Sequence, residues 1–514
     1  MPRFRLERPL RWQDLYREAE LYKAAVRVYT KPLFQWRKAL STSTDGKTLY
    51  DLAGHGLRSL DALHRALAHE RFAFRPAVAL HYNFNGKHRT LYISPWEERI
   101  VDLLLYRLVN QKLHGWFSPN SYAYRDRTHG LDRCQARIAQ VLRAAGGPIY
   151  LVKRDIADYF ASVNHEILLH QLAGLVERDD YLFGLLAQRV RFRFRDASEE
   201  HCAEMGIPFG AAIACLLANI YLTGLDRQIE EIPGLDYFRY ADDLLVLSAQ
   251  RDVALAARVR LEQALADLRL RMKPSHSADL VVTASDSVST AVRTTSDQPS
   301  PLGRGCPDLS GRVRGDVPPD ANPPSDPEFI PTHDFRHLGL LFRAGGGVAL
   351  SRDKRRKIQN LFRFAFRRGR RRWRKVTDPE ARAQAVVAIA LETLEKGVRN
   401  VAILDYYLKH VDDEAQLRLL DRWLAEEVLS LVFGGHKKGH FRRISFAQLR
   451  AMGLPSLVHR RRLIRRRKIE SPFFIWQKQQ AIRAFRGTVA RRSRARGAAA
   501  AFSPRPEAAA RECP

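Results

Sequence analysis

The run Phe238-Arg-Tyr-Ala-Asp-Asp-Leu-Leu-Val-Leu247 constrains this chain more than any other stretch. Two adjacent carboxylates lie between apolar, β-prone residues: Tyr237, Phe238 and Tyr240 before them, Leu244 to Leu247 after. The pattern predicts two short strands joined by a tight turn, with Asp242 and Asp243 at the bend. Neighbouring carboxylates repel, so holding them partly buried calls for a cation. Hard oxygen donors suit Mg²⁺, which binds through one or two carboxylates plus substrate phosphates. The plain alternative is an exposed acidic hairpin, since Asp is common in turns.

Two upstream segments supply context. In Leu151-Val-Lys-Arg-Asp-Ile-Ala-Asp-Tyr-Phe160, an apolar strand from Ile149 to Val152 delivers Asp155 at its end. Between the acidic sites, Gly206-Ile-Pro-Phe-Gly-Ala-Ala-Ile-Ala-Cys-Leu-Leu-Ala-Asn-Ile-Tyr-Leu222 reads as a Gly- and Pro-containing turn opening a long apolar helix. The three segments resemble motifs A, B and C of the reverse transcriptases, in the bacterial group II intron-like and retron-like branch that includes defence-associated members. The resemblance implies an α+β right-hand polymerase: fingers and an antiparallel palm sheet with helices, then an α-helical thumb and here a basic helical C-terminal extension. It makes Asp155, Asp242 and Asp243 the catalytic acids. With Ile156 beside Asp155 they form the set that holds two Mg²⁺ ions, Mn²⁺ being the alternative. Two ions about 3.5–4 Å apart can activate an attacking 3′-hydroxyl and neutralise the leaving oxygen. Asp158 is taken as an acid outside the ligand set.

The same resemblance assigns a nucleotide-binding group. Phe160, five residues after Asp155, falls where the family blocks a 2′-hydroxyl, although a lone Phe is also an ordinary packing residue. Lys87 and Arg89 lie in the fingers segment Gly86–Val101, Arg125 in Ser121-Tyr-Ala-Tyr-Arg125, and Phe209 and Gly210 in motif B. Arg125 is expected to grip phosphate bidentately, while Arg99 is expected to be structural. His276 stands where the family commonly has Lys near the leaving pyrophosphate, and Lys273 is the substitute for that general-acid role. Phe335-Arg-His-Leu-Gly-Leu-Leu-Phe342 resembles motif E, the primer grip. Motif B departs from the family, with Phe209 where Gln is frequent and Ala211 where Ser or Thr is. A specialised polymerase with a restricted template and neutral drift both explain that change.

Composition points to a polyanionic partner. Lys and Arg number 86 against 56 Asp and Glu, a formal net charge of +30. Thirteen of the twenty-four residues from Arg352 to Lys375 are basic, interleaved with Phe362, Phe364, Phe366 and Trp373. Arg355, Arg356, Arg367, Arg368, Arg371 and Arg372 are the nucleic-acid-binding candidates there, with Arg461 and Arg465 in a second cluster at 459–468. The expected partners are an RNA template, its DNA product and dNTPs, with a non-coding RNA or a protein encoded nearby, and with oligomerisation open. Five cysteines without C-x-x-C spacing indicate neither a zinc site nor a disulfide framework. No run of about twenty apolar residues suggests a membrane span, and the expected location is the cytoplasm.

Along the chain, residues 1–60 read as an N-terminal helical extension and 61–350 as fingers and palm. Residues 351–440 read as a basic helical thumb, and 441–514 as a basic extension with a disordered tail. Residues 281–331 read as a flexible insertion, with nine prolines between Pro299 and Pro331. The implied function is RNA-directed DNA synthesis by two-metal nucleotidyl transfer onto a primer, from a dedicated non-coding RNA, with antiphage defence as one setting. The alternatives are a non-catalytic maturase-like RNA-binding protein, or an intron or diversity-generating reverse transcriptase.

Overall fold

The computed structural model describes residues 6–30, 42–54, 56–84, 87–125, 129–274, 277–283, 329–396, 404–405 and 407–466. Its strands form three sheets. The first holds β1 (Ala77–Phe84), β2 (Lys87–Ile93), β4 (Arg193–Asp196) and β5 (Glu199–Cys202), in the order β2-β1-β4-β5. The second centres on β3 (Ile149–Asp155), with β6 (Leu235–Tyr240), β7 (Asp243–Ser248), β8 (Ala278–Val282) and β9 (Ile330–Thr332), in the order β6-β7-β3-β8-β9. The third is a small meander of β10 (Asp334–His337), β11 (Leu340–Arg343) and β12 (Val348–Leu350).

The central sheet is antiparallel from β6 to β8, as the sequence predicts, but β8 and β9 run parallel. A parallel pair needs a crossover of a dozen residues or more, and the long stretch between the two strands provides it. The predicted insertion lies largely outside the described residues.

Both faces of this sheet are covered, which explains its continuous apolar runs. Successive side chains point to opposite faces, so Val152, Leu244 and Val246 join one core while Leu151, Leu245 and Leu247 join the other. The first core is built on the helix Ala212–Glu230, whose thirteen buried residues leave little of it exposed, and on the helix Trp96–Lys112. The second core packs the meander and the C-terminal helices against the opposite face, through Phe335, Phe342, Ile358, Phe362, Phe366 and Leu424. Each fully buried Leu or Phe contributes about 1.5–3 kcal/mol relative to exposure, so the two cores fix where the ends of β3, β6 and β7 meet.

The predicted basic helix is present as Arg352–Arg368, with Ile358, Phe362 and Phe366 inward. Helices Pro379–Lys396 and Glu414–Phe433 follow, then Leu457–Arg465. Asp421 ties the last of these down: its carboxylate accepts from the Ser456 hydroxyl and the Leu457 amide, each at 2.6 Å.

Candidate active site

The β6–β7 hairpin places the acidic pair. Tyr240 pairs with Asp243, leaving Ala241 and Asp242 as the two-residue loop. Ala241 has φ 60°, a left-handed conformation that hairpins of this length usually give to Gly or Asn. For an L-residue with a Cβ this costs roughly 1–2 kcal/mol, and such strain gathers at functional sites. Antiparallel pairing sets Asp155, the last residue of β3, directly opposite Asp243, and the Ile156 amide donates to the Asp242 carbonyl at 3.2 Å. The three acids therefore meet at one end of the central sheet.

Their electrostatics follow from that placement. Burial pushes the Asp242 carboxyl up to about 6, and the Asp155 and Asp243 charges push the same way. Lys273 opposes the shift; its Nζ lies 3.8 Å from Asp155 Oδ2, and its amide donates to the Asp155 carbonyl at 2.8 Å. Lys153 Nζ lies 3.9 Å from Asp243 Oδ1. Among the described residues, no three His, Cys, Asp or Glu side chains converge into a metal cage. Mg²⁺ commonly takes only one or two protein carboxylates and completes its shell with phosphate and water. A half-buried, mutually repelling set of hard oxygen donors fits that chemistry.

A buried network fixes the hairpin from behind, and the sequence reading missed it. Arg239, on β6 and 0% exposed, grips Asp226 bidentately through Nε and Nη2, both at 2.6 Å. Its Nη1 donates to Asn219 Oδ1 at 3.1 Å and to the Ala241 carbonyl at 3.4 Å. The Tyr237 hydroxyl donates to Asp226 Oδ1 at 2.9 Å. Burial works against the guanidinium charge, but Asp226 outweighs it and raises the Arg239 pKa above its ordinary value. Asn219 and Asp226 stand seven residues apart on one face of the apolar helix Ala212–Glu230. An Arg amid apolar strand residues and an Asn/Asp pair at i, i+7 were the available clues.

The nucleotide-side candidates fall into two groups. Phe160 packs edge-on against Phe209, centroids 5.5 Å apart, and against Tyr124 at 6.2 Å; the Arg89 guanidinium lies 5.8 Å from the Phe209 ring. Gly210 sits at φ +111°, and a Cβ there would lie 2.4 Å from Leu91 Cδ1, so glycine keeps motif B against β2. Lys87 opens β2. Arg125 is placed differently from the expectation. Its Nη1 donates to the carbonyls of Ser118 and Ser121 at 2.5 and 3.2 Å, its Nη2 donates to that of His114, and it stacks over Phe117. A guanidinium committed to three backbone carbonyls is a loop clamp, with little left for a bidentate phosphate grip. Arg99 stacks on Trp96, as a structural residue would. Asp158 is exposed at φ 43°. His276 lies outside the described residues.

The two basic clusters also differ. Arg356, Arg367, Arg368 and Arg371 are exposed on the helices Arg352–Arg368 and Arg370–Trp373. Arg372 is exposed but paired bidentately with Glu392, at 2.9 and 3.0 Å. Arg355 is half-buried in a cleft of about 540 Å³ that Arg336, Arg343 and Arg352 also line. The second cluster is paired with acids, and its Arg461 is buried. Arg461 is 8% exposed, donates to the Val411 carbonyl at 2.6 Å and faces Asp412 and Glu414; Arg465 binds Asp412 at 2.5 Å. Arg460 and Arg462 pair with Asp405 and Glu414. This cluster staples the helix Leu457–Arg465 to residues 405–414, because acids hidden in sequence 45 or more residues away neutralise it. Arg461 is thereby committed within the fold, while Arg465 keeps an exposed guanidinium beside its ion pair.

The end of the central sheet thus gathers Asp155, Asp242 and Asp243, the kind of acidic set that two-metal chemistry uses. Residues 85–298 match the family model described as reverse transcriptase (RNA-dependent DNA polymerase). The chain is 24% identical over 194 residues to a COX1/OXI3 intron 1 protein of Saccharomyces cerevisiae, covering 37% of this chain and 23% of that one. It is 28% identical over 121 residues to the Retron Ec83 reverse transcriptase of Escherichia coli (23% and 38%). It is 26% identical over 135 residues to the group II intron-encoded protein LtrA of Lactococcus lactis subsp. cremoris (26% and 22%). The chain thus spans less than two fifths of each of these relatives. Residues 85–298 thus carry a reverse transcriptase domain, and the chain is similar there to group II intron and retron proteins.

Proposed function

We propose that this chain is an RNA-directed DNA polymerase that adds dNTPs to a primer, copying a dedicated non-coding RNA. The observation that carries the reading is the register of Asp155 opposite Asp243 beside the Asp242 turn, with Phe160 packed edge-on against Phe209. Asp155 and Asp242 are the residues that would hold Mg²⁺, with Asp243 in support. When bound, the metal supplies activation of the primer 3′-oxygen and charge neutralisation on the phosphates. The protein's own part is positioning. Arg239 and Asp226 hold the hairpin, Lys273 neutralises Asp155 from the adjacent loop, and Arg89 offers a cation beside Phe209. Phe160 limits the space at the sugar, which favours deoxynucleotides. Exposed Arg356, Arg367, Arg368 and Arg371 grip backbone phosphates without reading sequence.

A cytoplasmic role in antiphage defence, with a non-coding RNA or protein partner encoded nearby, belongs to the same proposal. Among the described residues, no helix is long and apolar enough to cross a membrane. The test is strand-resolved sequencing of nucleic acid co-purifying with the wild type and with Asp242→Asn, each expressed with its native flanking DNA. Complementary DNA found only with the wild type supports the proposal and identifies the template. The same RNA in both samples, and DNA in neither, replaces it with a non-catalytic RNA-binding role.

A further inference from the structure

The buried histidine of β10 has no place in the mechanism above. His337 is 1% exposed, and its side chain is completely enclosed. Neither ring nitrogen has a hydrogen-bond partner elsewhere among the described residues. A buried polar ring without a partner is costly. The nearest charged group explains its position: Nδ1 lies 3.4 Å from Asp243 Oδ1, just beyond ordinary hydrogen-bond length. A second link joins the same two elements. Lys153 Nζ lies 3.9 Å from Asp243 Oδ1 and donates to the Arg336 carbonyl at 3.3 Å.

The segment that brings His337 there is itself held tightly. Phe335 and His337 point into the core beneath the sheet, with Phe335 stacked on Phe342. The β10–β11 turn runs through Leu338 and Gly339, at φ 49° and 82°. The buried Gln135 side chain donates to the Leu338 carbonyl at 3.1 Å. The helix Arg352–Arg368 leaves directly from β12, the far strand of the same meander. Three short paired strands therefore link that helix to His337.

We propose that His337 is a positioning residue for Asp243, donating from Nδ1 to its carboxylate, and that with Lys153 it couples the meander and its basic helix to the acidic turn. This rests on the polymerase reading for its consequence, though the contact itself does not. Nucleic acid seated on the basic helix would then set the aim of Asp243. The role needs an imidazole or another side-chain donor at position 337 and no other change in the site.

Two measurements on the purified full-length chain test this. The first is a double-mutant cycle in denaturant unfolding with His337→Phe, Asp243→Asn and the pair. The expected result is a coupling of roughly fivefold in the unfolding constant; additive effects would overturn the proposal, whether or not the protein makes DNA. The second is primer extension on a defined RNA template. His337→Phe is expected to lower kcat about tenfold with KM for dNTP unchanged, and His337→Asn, whose amide can donate from a similar position, to recover most of it. Wild-type kcat in His337→Phe, or no rescue by Asn, would also overturn it. Failure of the polymerase reading is distinguishable: the wild type and Asp242→Asn would then be equally inactive while the unfolding cycle still reports the contact.

Discussion

Replacing Asp226 with Ala removes the carboxylate that the buried Arg239 guanidinium grips among the described residues. In the wild type that group makes two 2.6 Å charge-assisted bonds to Asp226, both partners being 0% exposed. After the change, Arg239 retains Asn219 Oδ1 at 3.1 Å and the Ala241 carbonyl at 3.4 Å, and the Tyr237 hydroxyl loses its acceptor. Breaking a buried pair by deleting one partner costs about 3–5 kcal/mol, because a desolvated charge is left behind. At about 2–4 °C per kcal/mol for a cooperative unit of 150–250 residues, the melting temperature should fall by roughly 6–20 °C. The assay is thermal unfolding followed by circular dichroism, beside primer extension at a temperature where the variant remains folded. Converting the pair to apolar residues, Arg239→Met with Asp226→Leu, should recover most of the stability. It should not recover synthesis, since Nη1 no longer holds the Ala241 carbonyl under the turn. A fall under 2 °C for Asp226→Ala, or full synthesis by the apolar double variant, would refute this account of how the hairpin is held.

Asp242→Asn should abolish synthesis while leaving RNA binding largely intact, checked by primer extension and filter binding; equal loss of both would remove the assigned role. Its stability carries a pH signature. A carboxyl raised to about 6 by burial and its acidic neighbours takes up a proton more readily folded than unfolded, so its ionisation destabilises the fold as pH rises from about 4 to 6. In metal-free buffer at pH 7.5, Asp242→Asn should therefore be more stable than the wild type, by up to about 3 kcal/mol, with the difference vanishing below pH 4. Added Mg²⁺ should stabilise the wild type and not the variant, measured by the same melts. Phe160→Ala should admit ribonucleotides, scored by rNTP incorporation; unchanged sugar selection would leave Phe160 a packing residue between Tyr124 and Phe209. Charge reversal at Arg356 and Arg367 should weaken RNA binding and lower the slope of log affinity against log salt by about one per lost contact. Arg461→Ala should lower the melting temperature instead and leave the salt slope unchanged.

Much of the candidate site was legible from local pattern. Alternating β-prone residues around Asp242 and Asp243 made a strand–turn–strand, and the apolar run ending at Asp155 made a strand, because periodicity is encoded within a few residues. The glycine at 210 and the apolar helix behind it were equally plain. Charge was less informative. Arg461 and Arg465 read as a free basic face, and Arg125 as a phosphate grip, because a count of basic residues cannot register which acids or carbonyls come back to meet them.

The sequence alone determined the hairpin, the order of the acidic segments and the apolar faces that must be covered, since these depend on neighbours along the chain. Only the tertiary structure decided which polar groups satisfy one another. Arg239 meets Asp226 from a helix, Arg125 spends its donors on a loop, and His337 crosses from a separate sheet to reach Asp243. Such pairings are set by where two packed cores bring distant backbone segments together. The cost of leaving a buried polar group unpaired then selects the partners.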